Sequence, residues 1–189
     1  MTRLERIYWV SLGSGLIVLF FILFPILHTC FTTSPTLLWQ TLRDREVITS
    51  ILTSFATALV TTLIATACGV PLAYFLARQE FRGKRLVEAA VNIPVVIPHT
   101  VAGIVLLAVL SKNCWLGRFF SALGIEFVGT YAGIITAMLF VSLPLLVNAA
   151  RDAFLAVPPR LEKVARTLGA TPAAVFFSVT LPLAWRGIL

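Results

Sequence analysis

Four long stretches of this chain carry no Asp, Glu, Lys or Arg: residues 7–42, 47–77, 89–111 and 127–150. Each exceeds the ~20 residues that take an α-helix across a hydrocarbon core of about 30 Å. A soluble protein could bury one such helix, but hardly four in a chain of 189 residues. Inside lipid every backbone N–H and C=O must find its partner within the protein, which leaves helices as the reading for long apolar runs of this kind. Charged residues make up only 12% of the chain, against roughly 25% in soluble domains. The expected fold is therefore all-α, a polytopic transmembrane helical bundle.

The formal net charge of +7 invites a nucleic-acid reading, and the distribution of the charges argues against it. If the N-terminus is cytoplasmic, ten basic residues fall inside: Arg3, Arg6, Arg78, Arg82, Lys84, Arg85, Arg151, Arg160, Lys163 and Arg166. Four fall in the outer loops: Arg43, Arg45, Lys112 and Arg118. That asymmetry is the positive-inside rule, so the basic excess concerns topology and no nucleic-acid partner is expected. Cys68 lies within a span as a small apolar residue. Cys30 and Cys114 both fall outside, where a disulfide is conceivable but weakly supported by two cysteines in different loops.

In chain order, Tyr8 and Trp9 form an interfacial anchor for a first span over about residues 8–27. Its apolar run is too long for a cleaved signal peptide and no small-residue cleavage site closes it. An outer loop follows, in which Leu37, Leu38 and Trp39 point to a segment lying in the interface. The second span, about residues 48–76, is rich in Ser, Thr and Ala and has Pro71 as a kink point near its inner end. Small residues allow close helix approach, so this span is expected to be central in the bundle. The third, about residues 89–110, contains Asn92, Pro94, Pro98, His99, Thr100 and Gly103. Two prolines four apart release backbone carbonyls that lipid cannot satisfy, so this helix should face protein or water. His99 is either a residue of a substrate path or a histidine bonded to a freed carbonyl. The fourth span covers about residues 131–150, with Pro144 inside it. A fifth starts near residue 181 and the chain stops within it. We therefore expect one transmembrane domain over residues 1–189, part of a longer protein that begins at Met1, with a cytoplasmic loop over residues 151–180.

That loop has the pattern of surface helix. Pro158 ends the preceding helix, and Pro159 suits a first helical turn. Leu161, Val164, Ala165 and Leu168 recur at the spacing of one helix face. Glu162 suits the positive helix end and is positioned to pair with Arg166 one turn on. Gly169 is a stop able to adopt positive φ, Thr171 and Pro172 restart a helix as cap and first residue, and Leu181 with Pro182 ends it. Two short helices with a glycine corner between membrane spans form either a docking element or an interfacial helix resting on headgroups.

Glu162-Lys163-Val164-Ala165-Arg166-Thr167-Leu168-Gly169, nine residues, then Val179-Thr180-Leu181-Pro182 resembles the EAA loop of ABC importer permeases. That pattern is Glu-Ala-Ala, three residues, Gly, nine residues, Ile, one residue, Leu-Pro. Aligned on Gly169, its glutamate position holds Lys163, and the acid stands one earlier as Glu162. The segment from Pro71 to Arg78, the Phe81-Arg82-Gly83-Lys84 turn, the run from Ile93 to Gly103 and the run from Met138 to Pro144 are similar to the molybdate/tungstate permease subfamily. Sulfate and thiosulfate permeases share much of this pattern. The likeness covers about residues 45–189.

The resemblance implies a MetI-like ABC importer permease fold and a pore subunit in the cell membrane. A second permease copy would complete a homodimer. An ABC ATPase dimer would lie in the cytoplasm and a substrate-binding protein outside. In that family the loop is a coupling helix seated on the ATPase, which assigns Arg160, Glu162, Lys163, Ala165, Arg166, Thr167, Leu168, Gly169 and Pro182 to coupling. ATP and Mg would sit on the partner, since no GxxxxGK[ST] phosphate loop occurs here. We expect no catalytic residue, bound cofactor or metal in this chain. For the pathway we expect Pro94, Pro98, His99, Thr100 and Gly103, because an oxyanion passing a dry bilayer needs neutral donors that release it again.

Two rival classes fit worse. An ion-coupled carrier usually relies on intramembrane carboxylates, and the four spans hold none. A membrane enzyme or assembly factor would need clustered His, Cys or acids, whereas His28 and His99 are far apart in sequence and the cysteines are scattered. The orientation is testable with single cysteines in a Cys-free background. Replacements of Gln40 and Arg118 should be labelled from outside intact cells, and those of Arg82 and Lys163 only after permeabilisation. The opposite pattern would invert the topology.

Overall fold

The computed structural model describes residues 3–188 and contains helices but no strand among them. Met1, Thr2 and Leu189, together with the side chains of Arg3 and Arg6 counted above, lie outside the described residues. Contacts divide the chain into two units, residues 1–53 and 54–189.

In the first unit, α1 (Arg3–Thr32) includes the apolar span Ile7–Thr32 and continues through Pro25. From Ile7 on, its Leu, Ile and Phe side chains are exposed, as lipid-facing residues are. After it comes α2 (Pro35–Arg43), with proline at its start and the Arg43 guanidinium over the Trp39 ring at 4.9 Å. Leu38, Trp39 and Leu42 share one face of α2, opposite Gln40, where the sequence reading expects a segment lying in the interface. Asp44 then opens α3 (Arg45–Arg78), its carboxylate accepting the Glu46 N–H at 2.9 Å.

The second unit is organised by what α3 buries. Thr57, Thr61, Ala65, Gly69 and Ala73 recur every fourth residue and are all buried, a ridge of small side chains. A Cβ added at Gly69 would stand 3.3 Å from the Leu146 side chain and 3.4 Å from those of Leu143 and Val147. Those residues belong to α7 (Tyr131–Ala156), which packs on this ridge. Val70, Ala73 and Leu76 of α3 join Val147, Ala150 and Phe154 of α7, with Val157 and Ala184, in one core. Cys30, Cys68 and Cys114 are free thiols.

Several expectations change. Residues 89–110 do not form a single helix: α4 (Lys84–Val96) and α5 (His99–Leu110) meet at a bend of 111°. Ile97 and Pro98 are extended (ψ 126° and 139°), since proline excludes the α region for the residue before it and supplies no N–H to continue the ladder. The loop after α5 contains α6 (Trp115–Ala122), so residues 111–130 are not all irregular. Helix α7 continues past Arg151 to Ala156, so the first part of the expected 151–180 loop is still helix. Neither Pro71 nor Pro144 interrupts its helix.

The largest correction lies at the far end. Pro182 does not stop a helix. Helix α9 (Pro172–Val175), a π-helical turn (Phe176–Thr180) and α10 (Leu181–Ile188) form one continuous apolar helix, Pro172–Ile188. Proline in a regular ladder would crowd the carbonyl four residues back. The wider turn just before Pro182, closed by the Leu181 N–H on Phe176 O, opens the ladder at that place. The fifth helix therefore begins at Pro172 rather than near residue 181. Overpacking the α3–α7 seam should be costly: Gly69→Leu is expected to destabilise the folded protein in detergent by about 2 kcal/mol. Gly69→Ala, whose Cβ meets only side-chain methyls, should cost much less; equal melting temperatures for both would contradict the seam.

Candidate functional site

The segment between α7 and α9 is α8 (Pro159–Thr167), a nine-residue helix with Pro159 in its first turn. Its C-terminus closes as a Schellman turn. Gly169 takes φ +91°, its N–H bonds Arg166 O at 3.0 Å, and the Ala170 N–H bonds Ala165 O at 3.1 Å. Thr171 caps α9 by accepting the Ala174 N–H at 3.2 Å, as its place before Pro172 predicts.

Helix α8 inverts the usual amphipathic arrangement. Its apolar residues face outward: Leu161 is 42%, Val164 51% and Leu168 83% exposed. Its one buried side chain is an acid, Glu162, at 7% exposure. The expected Glu162–Arg166 pair is not formed. The Glu162 carboxylate is instead turned inward, where Oε1 accepts from Arg78 Nε at 2.8 Å and from Thr180 Oγ1 at 3.0 Å. Its Oε2 accepts from the Tyr74 hydroxyl at 3.3 Å. The physical reason is burial. A carboxylate shielded from water needs an opposite charge and several donors, and the end of α3 supplies them, whereas a solvated i+4 pair gains little. Arg78 is itself shared, its second guanidinium nitrogen donating to Val157 O at 2.9 Å just beyond α7. The Tyr74 ring stands edge-on to Phe154 (5.4 Å) and Phe176 (4.9 Å), which walls the pair with aromatic carbon.

Of the other residues assigned to coupling, Arg160, Lys163, Arg166, Thr167, Leu168 and Gly169 are exposed and Ala165 is half-buried. Pro182 is exposed on α10. Arg160 lies beside the apolar side chains, whereas Arg166, one turn on from Glu162, projects on the Glu162 side of α8. Sequence reasoning missed Tyr74, Arg78 and Thr180. Arg78 had been read as a topological charge at the end of an uncharged run, and nothing in the sequence distinguishes it there from Arg43, Lys112 and Arg151. Nothing local marks Tyr74 or Thr180.

The pathway residues gather around the 111° bend. Pro98 precedes α5, His99 and Thr100 begin it, and both are exposed; Pro94 is half-buried in α4. Gly103 lines a cavity of about 440 Å³ together with Leu106, Leu110, Phe127, Thr130 and Ile134. Helix α4 is fixed to α7 by two polar rungs that were also unread: Asn148 Nδ2 to Asn92 Oδ1 at 2.6 Å, and Arg151 to Glu88 at 3.1 Å. No group of His, Cys and carboxylates able to hold a metal occurs among the described residues.

The described residues form apolar helices, three to four of them long enough to cross a membrane, with the short helix α8 held to the end of α3 by a buried ion pair. Residues 69–189 match the family described as "Binding-protein-dependent transport system inner membrane component". The chain is 44% identical over 180 residues to the molybdate/tungstate transport system permease protein WtpB of Pyrococcus abyssi, covering 95% of this chain and 67% of that protein. It is 43% identical over 190 residues to the protein of the same name from Pyrococcus furiosus, covering 100% and 71%. A sulfate transport system permease protein CysT of Synechococcus elongatus is 36% identical over 114 residues, covering 60% and 41%. This chain belongs to the family of binding-protein-dependent transport system inner membrane components. It is an ABC permease, a transport component of the membrane.

The Schellman corner provides a test of how α8 is held in shape. A Cβ at Gly169 meets no atom within 4 Å, so substitution there strains only the backbone. Gly169→Val should cost about 1–2 kcal/mol locally and speed amide exchange of Leu168, Gly169 and Ala170 by about tenfold. Gly169→Asn, which tolerates this conformation better, should lie much closer to the wild type.

Proposed function

We propose that this chain is the pore subunit of an ATP-driven importer for a tetrahedral oxyanion, molybdate or tungstate, received from an external binding protein. Two copies form the pore over a cytoplasmic ABC ATPase dimer, the N-terminus lies in the cytoplasm, and ATP with Mg is bound by the ATPase, not by this chain. The substrate class rests on the names of the most similar relatives, which match over nearly the whole chain, whereas the sulfate permease matches 60% of it.

The observation that carries the coupling role is the outward apolar face of α8. Leu161, Val164 and Leu168 stand exposed on, and just past, a helix whose inner side is pinned by a buried ion pair. Such a face stays unsatisfied until an apolar groove covers it, and a groove in the ATPase is the occupant the family implies. ATP-driven closure of the ATPases then displaces α8, and the helices tied to it move with it. In the pore, His99 and Thr100 at the α4–α5 break offer hydrogen-bonding groups to the anion, with Pro94, Pro98 and Gly103 shaping the break. Weakly held contacts suit passage, because binding must be weak enough for release.

The assembled transporter in proteoliposomes, supplied with binding protein and ATP, should take up molybdate and tungstate in preference to sulfate. Preference for sulfate would replace the substrate. Val164→Glu and Leu168→Glu should each weaken copurification of the ATPase about tenfold or more, by placing a charge in an apolar contact. Their thermal stability should stay near wild type, since both positions are exposed in the isolated subunit. ATPase retention by both variants would refute docking through α8. His99→Ala should lower uptake several-fold while the ATPase stays bound, and unchanged uptake would remove His99 from the path.

A further inference from the structure

Glu162 is the one buried residue of α8. A nine-residue helix is about 14 Å long. With its apolar side chains turned outward, α8 has little hydrophobic hold on the rest of the subunit. What fixes it is the carboxylate. Through Oε1 and Oε2, Glu162 reaches Arg78 and Tyr74 on the last turns of α3 and Thr180 on the π-helical turn. Through Arg78 the same cluster reaches Val157 O, the first residue past α7. Two side chains therefore join the ends of α3 and α7, the surface helix α8 and the turn that leads into α10. The side chains of Arg78 and Glu162 are only 10% and 9% exposed, so water screens the pair little.

The π-helical turn contributes to this joint. Its widened ladder lies immediately before Pro182, and Thr180, its last residue, is fully buried with its hydroxyl on Glu162. The Tyr74, Phe154 and Phe176 rings pack around one another beside the cluster, holding these backbone segments together around the charge pair.

We infer that Arg78 and Glu162 form an internal clamp that makes α8 rigid with the ends of α3 and α7 and the start of α10, so that motion of α8 becomes motion of the spanning helices. This rests on the coupling role proposed above and assigns to Glu162 a part other than contact with the ATPase. Glu162 faces into its own subunit and acts as a positioning residue. With the clamp loosened, α8 still presents its apolar face, but it rocks on its two loop connections and delivers less displacement.

The test separates coupling from assembly. The assembled transporter carrying Glu162→Gln, Arg78→Gln or Arg78→Lys is reconstituted, and molybdate transported per ATP hydrolysed is measured beside the melting temperature and the amount of bound ATPase. A purely structural pair would reduce the amount of active complex, lowering uptake and hydrolysis together at constant ratio. A clamp predicts that the ratio itself falls, by about tenfold for Glu162→Gln and Arg78→Gln, in the range of a typical coupling free energy. Arg78→Lys keeps the charge and should recover most of the ratio. Should the Gln variants fail to assemble, Thr180→Val removes one bond at near-constant volume and should lower the ratio about two- to threefold. A wild-type ratio in the assembled Gln variants, or in Thr180→Val where they do not assemble, would overturn the clamp while leaving the transporter reading intact. A wild-type complex in which ATP hydrolysis drives no uptake would instead overturn the transporter reading, and the clamp with it.

Discussion

A carboxylate withdrawn from water is tolerated only where a cation and donors meet it, and Glu162 is met by Arg78, Thr180 and Tyr74. The orientation of α8 follows from this. With the acid turned inward, helical spacing carries Leu161, Val164 and Leu168 outward, against the tendency of apolar side chains to be buried. Breaking such a pair by removing one partner typically costs about 3–5 kcal/mol, comparable with the roughly 3–6 kcal/mol that full burial of two leucine-sized side chains would return. With the pair formed, the apolar face of the helix is the one left available to another protein.

The pair stands at the end of α3, beyond the small-residue ridge from Thr57 to Ala73. At Gly69 the Leu143, Leu146 and Val147 side chains of α7 fill the space against the ridge, while beside Thr61 the two helices leave a cavity of about 460 Å³. Past Gly69 the core of Val70, Ala73 and Leu76 with Val147, Ala150 and Phe154 leads directly to the cluster, where Arg78 reaches both Glu162 and the carbonyl of Val157.

Helix α4 is attached differently, through Asn92–Asn148 and Glu88–Arg151, two polar rungs against the other side of α7. It ends at the proline break, beyond which α5 leaves at 111°. A chain built this way has one region where helices are locked end to end and another where a helix is deliberately interrupted.

Much of this was legible in the chain itself. Uncharged runs longer than a bilayer is thick leave helices as the only tenable reading, so the all-α class needed no tertiary information. Pro159, Gly169 and Thr171 set the ends of α8 and α9 through local backbone chemistry. The direction in which Glu162 points was not legible, because Arg166 four residues away and Arg78 at a separation of 84 residues are equally good partners on paper. The same holds for Pro182, which in isolation ends a helix and here is absorbed by a π-helical turn whose last residue is bonded to Glu162. Local rules decide where helices begin and end. Which side chain is drawn out of water depends on what the rest of the fold brings beside it, and only the packing of α3 against α7 brings Arg78 there.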